Sequence, residues 1–142
     1  MNKNIGYLLS KASISLKLAI SQRLQPYNLT STQWAMLKNI SLYESGTTPA
    51  QIAEQMGAER PTITGILDRL KAKQFIISQP HPQDKRSQLI SLTLEGSQLV
   101  KELDHLADAV LEESLRGISA EQQAILTFAL QQIIINTKGN DN

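Results

Sequence analysis

Residues 48–72, TPAQIAEQMGAERPTITGILDRLKA, decide the fold, because they contain two helix starts separated by one short turn. Thr48 followed by Gln51 forms a capping box, which marks the start of the first helix. Gly57 is a natural helix stop, since glycine readily adopts the left-handed conformation that ends many helices. A second helix follows, and its apolar residues recur at helical spacing: Ile63, Ile66, Leu67 and Leu70. Two helices joined by a short turn with glycine are typical of a helix-turn-helix.

The outward face of this second helix is polar and mostly small, which is what entry into a DNA major groove requires. It holds Pro61, Thr62, Thr64, Gly65, Asp68 and Arg69. The threonines offer a hydroxyl for hydrogen bonds and a methyl for thymine. Arg60 and Arg69 can neutralise phosphates or read guanine. An ordinary amphipathic surface helix would show the same polarity, so this helix alone leaves both interpretations open.

The sequence period then changes to that of two short strands, predicted at Phe75–Ser78 and Gln88–Leu92. The polar loop between them carries Asp84, Lys85 and Arg86. Lysine and arginine on a protruding hairpin suit a narrow minor groove, whose negative potential attracts them. Asp84 could pair with the Arg86 guanidinium and fix its direction. The alternative is a solvated turn with a chance charge pair of little energetic value.

Two helices are predicted before this central segment. The first carries apolar residues at helical spacing and ends before Pro26. The second starts near Ser31, because Thr30 with Gln33 is another capping box, and it stops near Ser45.

Two further helices follow the hairpin. Thr93 opens a long one, and the capping box of Ser119 with Gln122 starts the last. The first and last helices both carry wide apolar stripes, and a monomer of this size has little other structure with which to bury them. We therefore expect them to build a homodimer that presents two recognition helices to successive major grooves. The alternative is that these helices pack on each other within one chain.

The predicted fold class is mainly α with a small β-hairpin wing. It is a winged helix-turn-helix flanked by dimerisation helices, within one compact domain. Residues 1–28 form the N-terminal dimerisation helix, residues 29–93 the DNA-binding region, and residues 94–142 the C-terminal dimerisation helices.

Composition excludes several functional classes. None of the 142 residues is cysteine, which removes disulfides, thiolate catalysis and cysteine zinc sites. Aromatic residues make up only 4%, which disfavours a binder of single-stranded nucleic acid. The sequence contains no glycine-rich phosphate loop and no nucleophile beside a base, so we expect neither an enzyme nor a cofactor. No signal peptide or membrane span is predicted, which fits a cytoplasmic protein.

Charge is segregated although the net charge is only +1. Bases outnumber acids over residues 59–88, whereas acids dominate residues 95–121. A basic middle beside an acidic helix suggests that one surface meets phosphate. No metal site is expected, because only one other histidine accompanies the trio of His105, Asp108 and Glu112, and that histidine lies in the wing.

Three stretches resemble MarR-family regulators. LTSTQWAML, residues 29–37, resembles the opening of that family's second helix, and RPTITGILDRL, residues 60–70, resembles its recognition helix. DKRSQLISLTLEG, residues 84–96, resembles its wing and the threonine-led start of the next helix. The three matches keep their order and spacing across nearly the whole chain.

This resemblance implies a dimer of triangular outline that binds a palindromic operator on double-stranded DNA. Arg86 would take the place of the wing-tip arginine, with Asp84 as its orienting acid. The implied DNA-contacting residues are Arg60, Pro61, Thr62, Thr64, Gly65, Arg69, Lys85, Arg86 and Ser87. Thr48 would cap its helix near a phosphate.

Two departures from the family pattern stand out. Gly65 replaces a larger polar or basic side chain, so a base contact there is in doubt. Gln74 stands where glycine commonly ends the recognition helix, so it must adopt a left-handed conformation or the helix must end differently.

Many members of the family respond to small aromatic or anionic ligands bound between the dimer helices and the DNA-binding lobe. The candidates here for such an effector site are Tyr7, Arg23, Tyr27 and Trp34, although aromatics at helical spacing are more often core residues. The predicted function is a sequence-specific transcriptional regulator, a ligand-responsive repressor. The alternative is a winged-helix module for protein contacts without specific DNA binding.

Overall fold

The computed structural model describes residues 4–138. Within that range the chain forms six α-helices, one 3-10 turn at Gln25–Tyr27 and one two-stranded antiparallel sheet. The elements are α1 (Ile5–Leu24), α2 (Ser31–Ser41), α3 (Pro49–Met56), α4 (Arg60–Ala72), β1 (Ile76–Pro80), β2 (Gln88–Leu92), α5 (Leu94–Ser114) and α6 (Ala120–Lys138). The mainly helical fold with a hairpin wing is confirmed.

The connection between α1 and α2 follows from its residues. Pro26 lies in the 3-10 turn that ends α1, and Asn28 adopts a left-handed conformation with φ of 54°. Thr30 and Gln33 then form the predicted capping box, in which Thr30 Oγ1 accepts from the Gln33 amide at 3.0 Å. The helix α2 ends at Ser41, earlier than the predicted Ser45, because the amides after it bond to carbonyls three residues back in successive tight turns.

The helix-turn-helix is built by α3 and α4 as predicted. Thr48 and Gln51 form a reciprocal capping box at the start of α3. Gly57 ends that helix in the left-handed conformation, with φ of 62°. The short turn therefore brings α4 directly against α3.

One strand residue was missed by the sequence analysis. Thr47 is fully buried and forms an isolated bridge with Ile90, with backbone hydrogen bonds of 2.8 and 2.7 Å. A strand one residue long has no periodicity, so the pattern gave no signal. The bridge fixes the start of α3 against the sheet.

The end of α4 resolves the two possibilities left open for Gln74. Its φ is 65°, so a non-glycine residue does occupy the left-handed position. The Phe75 amide donates to Leu70 O at 3.1 Å and completes the helix end. Because Phe75 belongs to this turn, β1 begins at Ile76 and extends to Pro80, later than the predicted Phe75–Ser78. The second strand is confirmed at Gln88–Leu92.

The start of α5 is fixed against this joint. Thr93 caps α5 by accepting from the Gly96 amide at 3.0 Å, and its own hydroxyl donates to Gln74 O at 2.7 Å. A Cβ at Gly96 would overlap the carbonyl of Phe75. The absence of a side chain at Gly96 therefore permits the close approach of α5 to the end of α4.

The core lies in the middle of the chain, where residues of α2 to α5 and the sheet pack with Leu24 and Leu29. Leu24 is the one buried residue of α1 within its described span, and α6 has none. In the single chain, the apolar residues of α6 are therefore exposed rather than packed on α1.

The domain boundaries stay a prediction, although both fall in connections, before α2 and at the cap of α5. Residues 1–3 and 139–142 of those predicted regions lie outside the described part.

Candidate nucleic-acid interface

The outer face of α4 is exposed along its whole length. Ile63, Leu67 and Leu70 are buried in the core, while the six residues predicted to face outward are all exposed. No Cβ contact would form within 4 Å at Gly65, so this face has open space beside it. A duplex groove could approach the backbone closely at this position.

Two threonines on this face differ in their hydrogen bonds. Thr64 Oγ1 donates to Arg60 O at 3.0 Å, so its proton is already used within the helix. Thr64 therefore offers an outside partner its methyl group and the oxygen lone pairs. The Thr62 side chain has no partner within residues 4–138 and retains its donor.

The cations of α4 are available to an outside anion. Arg60 and Arg69 are exposed and form no ion pair in the described part of the chain. The one pair on this helix joins Lys71 Nζ to Asp68 Oδ1 at 4.0 Å, with both side chains partly in solvent. Asp68 is therefore directed toward Lys71, one turn further along the helix.

The tip of the wing is organised by Asp84. Its Oδ1 accepts from the Arg86 amide at 3.1 Å and lies 3.5 Å from Arg86 Nε. Its carbonyl accepts from the Ser87 amide at 3.0 Å, and the Ser87 carbonyl accepts from His81 at 3.1 Å. The Arg86 side chain is nevertheless 94% exposed. A closed loop thus presents one guanidinium to solvent beside the exposed Lys85.

The predicted interface residues divide between two elements, α4 and the wing, with Thr48 at the start of α3. All are exposed except Ser87 and Thr48, which are half-buried. Thr48 Oγ1 accepts from the Gln51 amide at 3.2 Å, so its capping geometry is present. Which of these residues contact DNA stays a prediction.

Residues 29–88, from Leu29 just before α2 to the first residue of β2, match the model of the MarR family. The resemblance stated from the sequence is confirmed.

Solved structures extend this likeness over nearly the whole chain. A MarR-family regulator from Rhodococcus sp. RHA1 is 25% identical, covers 94% of each chain and has a TM-score of 0.86. A variant of E. coli MarR complexed with operator DNA is 23% identical, with a TM-score of 0.85 over 92% of this chain and 94% of that one. CouR from Rhodococcus jostii RHA1, bound to p-coumaroyl-CoA, is 24% identical, with a TM-score of 0.82 over 92% and 91%.

The four candidate effector residues are not brought together. Tyr7 is exposed near the start of α1, where Lys11 Nζ lies 5.6 Å from its ring. Arg23 pairs with Glu113 at 3.6 Å, and the Tyr27 hydroxyl donates to Glu102 at 2.8 Å. This hydrogen bond, with smaller contributions from burial and the carboxylate charge, raises the pKa of Tyr27.

Trp34 alone of the four lines a cleft of about 300 Å³ between α1, α2 and α5, which we call the α5 cleft. Its lining is Leu16, Ile20, Trp34, Lys38, Asp104, Ala107, Asp108, Val110 and Leu111. Lys38 Nζ lies 2.7 Å from both carboxylate oxygens of Asp104. Sequence reasoning missed this pair, because 66 residues separate its members and no local pattern links them.

Two other kinds of site are absent from residues 4–138. No group of three or more histidine, aspartate or glutamate side chains is placed to hold a metal ion. No helix in the same range is long and apolar enough to cross a membrane.

Proposed function

We propose that this chain is a MarR-family regulator, a dimeric, sequence-specific transcriptional repressor that binds a palindromic operator and responds to a small effector. The observation that carries the proposal is the exposed, slim outer face of α4 together with the exposed Arg86 guanidinium on a wing that Asp84 organises. The match of residues 29–88 to the MarR family model and the likeness in fold to E. coli MarR with operator DNA support it.

In this proposal α4 enters the major groove with its N-terminal half. Thr62 donates to a base or phosphate, and Thr64 directs its methyl toward thymine. Gly65 lets the backbone approach without a side-chain contact. Arg60 and Arg69 bind phosphates and fix the register of the helix.

The wing supplies the second contact. Arg86 enters the adjacent minor groove, where the negative potential is strongest when the groove is narrow. Asp84 restricts the directions that the guanidinium can take, which lowers the entropy cost of placing it. Lys85 and Ser87 contact the flanking backbone.

The dimer follows from the exposed apolar residues of α1 and α6. Those of α6 lie on all sides of the helix, since residues 125, 126, 128, 130, 133, 134 and 135 cover most of its circumference. A helix that is apolar all round is normally buried. A second copy that covers α6 would place two α4 helices for successive half-sites.

Regulation is proposed to act through the α5 cleft. It lies between α2 of the DNA-binding region and α1 and α5 of the dimerisation region, so a bound molecule would contact both. CouR, which shares the fold, is bound to p-coumaroyl-CoA in its structure, and this supports a small-molecule effector.

We assign the chain a regulatory rather than a catalytic role, in keeping with a family of transcription regulators. A repressor must act where the DNA is, and we propose the cytoplasm as its location.

The proposal is tested by selecting bound fragments from a genomic DNA pool. We expect one enriched site with two-fold symmetry and half-sites about one helical turn apart, roughly 34–36 Å. Affinity should fall steeply between 50 and 200 mM salt, through the release of counterions. A protein-contact module would give no enriched site and no retention on DNA even at low salt.

A further inference from the structure

We propose that the effector of the α5 cleft is a small aromatic organic cation. This inference rests on the proposed function, since it names the ligand class of the site through which regulation acts. The proposed ligand charge is opposite to the one considered from the sequence, which suggested an aromatic or anionic ligand.

The charge balance of the cleft favours a cation. Lys38 is its one basic group, and Lys38 Nζ already has both oxygens of Asp104 at 2.7 Å. An incoming anion would therefore meet a lysine whose charge Asp104 already balances. Asp108, one turn further along α5, is exposed and has no ion pair or hydrogen bond within residues 4–138. The lining therefore keeps one unpaired negative charge.

The walls of the cleft favour an aromatic body. Most of the lining is apolar, from Leu16 and Ile20 on one side to Val110 and Leu111 on the other. Trp34 supplies the ring type that attracts cations most strongly. Its Nε1 donor is buried without an acceptor within residues 4–138, and a ligand could satisfy it only with a neutral oxygen or nitrogen acceptor on its aromatic body.

The size of the cleft sets an upper limit on the ligand. A volume of about 300 Å³ is at the lower end for small-molecule sites. It admits one or two rings with an amine or quaternary ammonium group, and the charged group would lie between the Trp34 face and Asp108.

Trp34 also provides the measurement, because it is the only tryptophan of the chain. Its fluorescence is followed while benzyltrimethylammonium is added, and in parallel benzenesulfonate, which has the same ring and the opposite charge. We expect the cation to bind at least tenfold more tightly than the anion. Equal or tighter binding of the anion, or no response to either, overturns the inference.

Two variants locate the binding charge. Asp108→Asn removes the unpaired carboxylate with little change of shape, and the cation should bind roughly fivefold more weakly, as expected for one nearby charge in a solvated site. Glu112→Gln, on the next turn of α5 and outside the cleft, is the matched control and should change binding less than twofold. Equal effects of the two variants would mean that a diffuse field of α5, and not the cleft, attracts the cation.

DNA binding is measured on the same samples with the selected operator. Saturating benzyltrimethylammonium should change operator affinity at least threefold, and an unchanged affinity overturns the effector role. If no DNA binds while the cation preference holds, the proposed function fails and the ligand class of the cleft stands. If DNA binds and the cleft prefers the anion, the proposed function stands and the proposed ligand class fails.

Discussion

The winged-helix lobe, residues 29–93, and the two terminal helices, α1 and α6, differ in how fully a single chain buries them. The lobe contributes most of the core, including Met36, Leu37 and Ile63, which are 1% exposed or less. The described part of α6 contributes no buried residue, and α1 contributes one. The lobe buries its apolar residues within one chain, whereas the terminal helices need a partner subunit to bury theirs. Binding DNA and pairing subunits therefore draw on separate parts of the sequence.

The strongest test of this comparison places a charge on α6. Phe128 and Leu42 are both 69% exposed in the single chain, so a monomer would tolerate aspartate equally well at either position. If α6 is buried by a second copy, Phe128→Asp should weaken the dimer at least a hundredfold, about 3 kcal/mol, because a carboxylate would be desolvated without a partner. Leu42→Asp should leave the dimer intact. Sedimentation equilibrium measures both, and equal behaviour of the two variants would contradict the proposed pairing.

The stability of the lobe should be most sensitive to substitution where its elements approach most closely. Gly96→Ala introduces a methyl that overlaps the carbonyl of Phe75, and we expect it to destabilise the fold by about 3 kcal/mol. Gly65→Ala is the control, since nothing lies within 4 Å of a Cβ there, and alanine should stabilise α4 by about 0.5–1 kcal/mol. Urea unfolding at constant protein concentration gives both values. Opposite signs are expected, and a mild effect of Gly96→Ala would mean that α5 can move away from Phe75.

The exposed parts of the lobe should matter for DNA and not for folding. Arg86→Ala should reduce operator affinity by about 2 kcal/mol, roughly thirtyfold, and leave the unfolding temperature unchanged. Arg116→Ala removes another exposed arginine, in the connection between α5 and α6, and should have little effect on affinity. Mobility-shift titrations at one fixed salt concentration compare the two. Similar losses for both variants would indicate that general charge, and not the wing, determines binding.

The smallest expected effect lies at the contact between the end of α1 and α5, where the Tyr27 hydroxyl donates to Glu102. This hydrogen bond raises the pKa of Tyr27, so the fold favours the protonated phenol. Its contribution is complete below the ordinary tyrosine pKa and is lost as the pH rises through the raised value. The difference in melting temperature between the wild type and Tyr27→Phe should therefore shrink above about pH 10. A constant difference would show that the hydrogen bond does not stabilise the fold.

Local signals made most of the lobe predictable. The capping boxes at Thr30 and Thr48 each satisfy helix-end amides with residues three positions apart, so sequence spacing alone reveals them. The second strand alternates clearly, and its bounds were predicted without error. The first strand was predicted one residue early, because Phe75 has a strand-like side chain but its backbone completes the helix end.

Contacts distant in sequence were not predictable in the same way. The bridge of Thr47 with Ile90 and the pair of Lys38 with Asp104 depend on how whole elements pack, and neither leaves a pattern in the chain. The effector candidates show the same limit. Residue type suggested Tyr7, Arg23, Tyr27 and Trp34, but only Trp34 lines the α5 cleft. The individual DNA contacts of α4 and the wing remain predictions for mutagenesis.

The joint formed by Gln74, Phe75 and Thr93 limits how this protein can be switched. Thr93 caps α5 and also donates to two carbonyls of the turn that follows α4, at 2.7 Å to Gln74 and 3.0 Å to Phe75. Because of these hydrogen bonds, we expect α5 and α4 to move together as one rigid unit. We expect a regulatory signal to change the separation of the two recognition helices against the fixed pitch of the double helix, with each helix still folded. Such a switch works by a mismatch between the separation of the two α4 helices and the spacing of the half-sites. Its sensitivity depends on how stiffly DNA resists stretching.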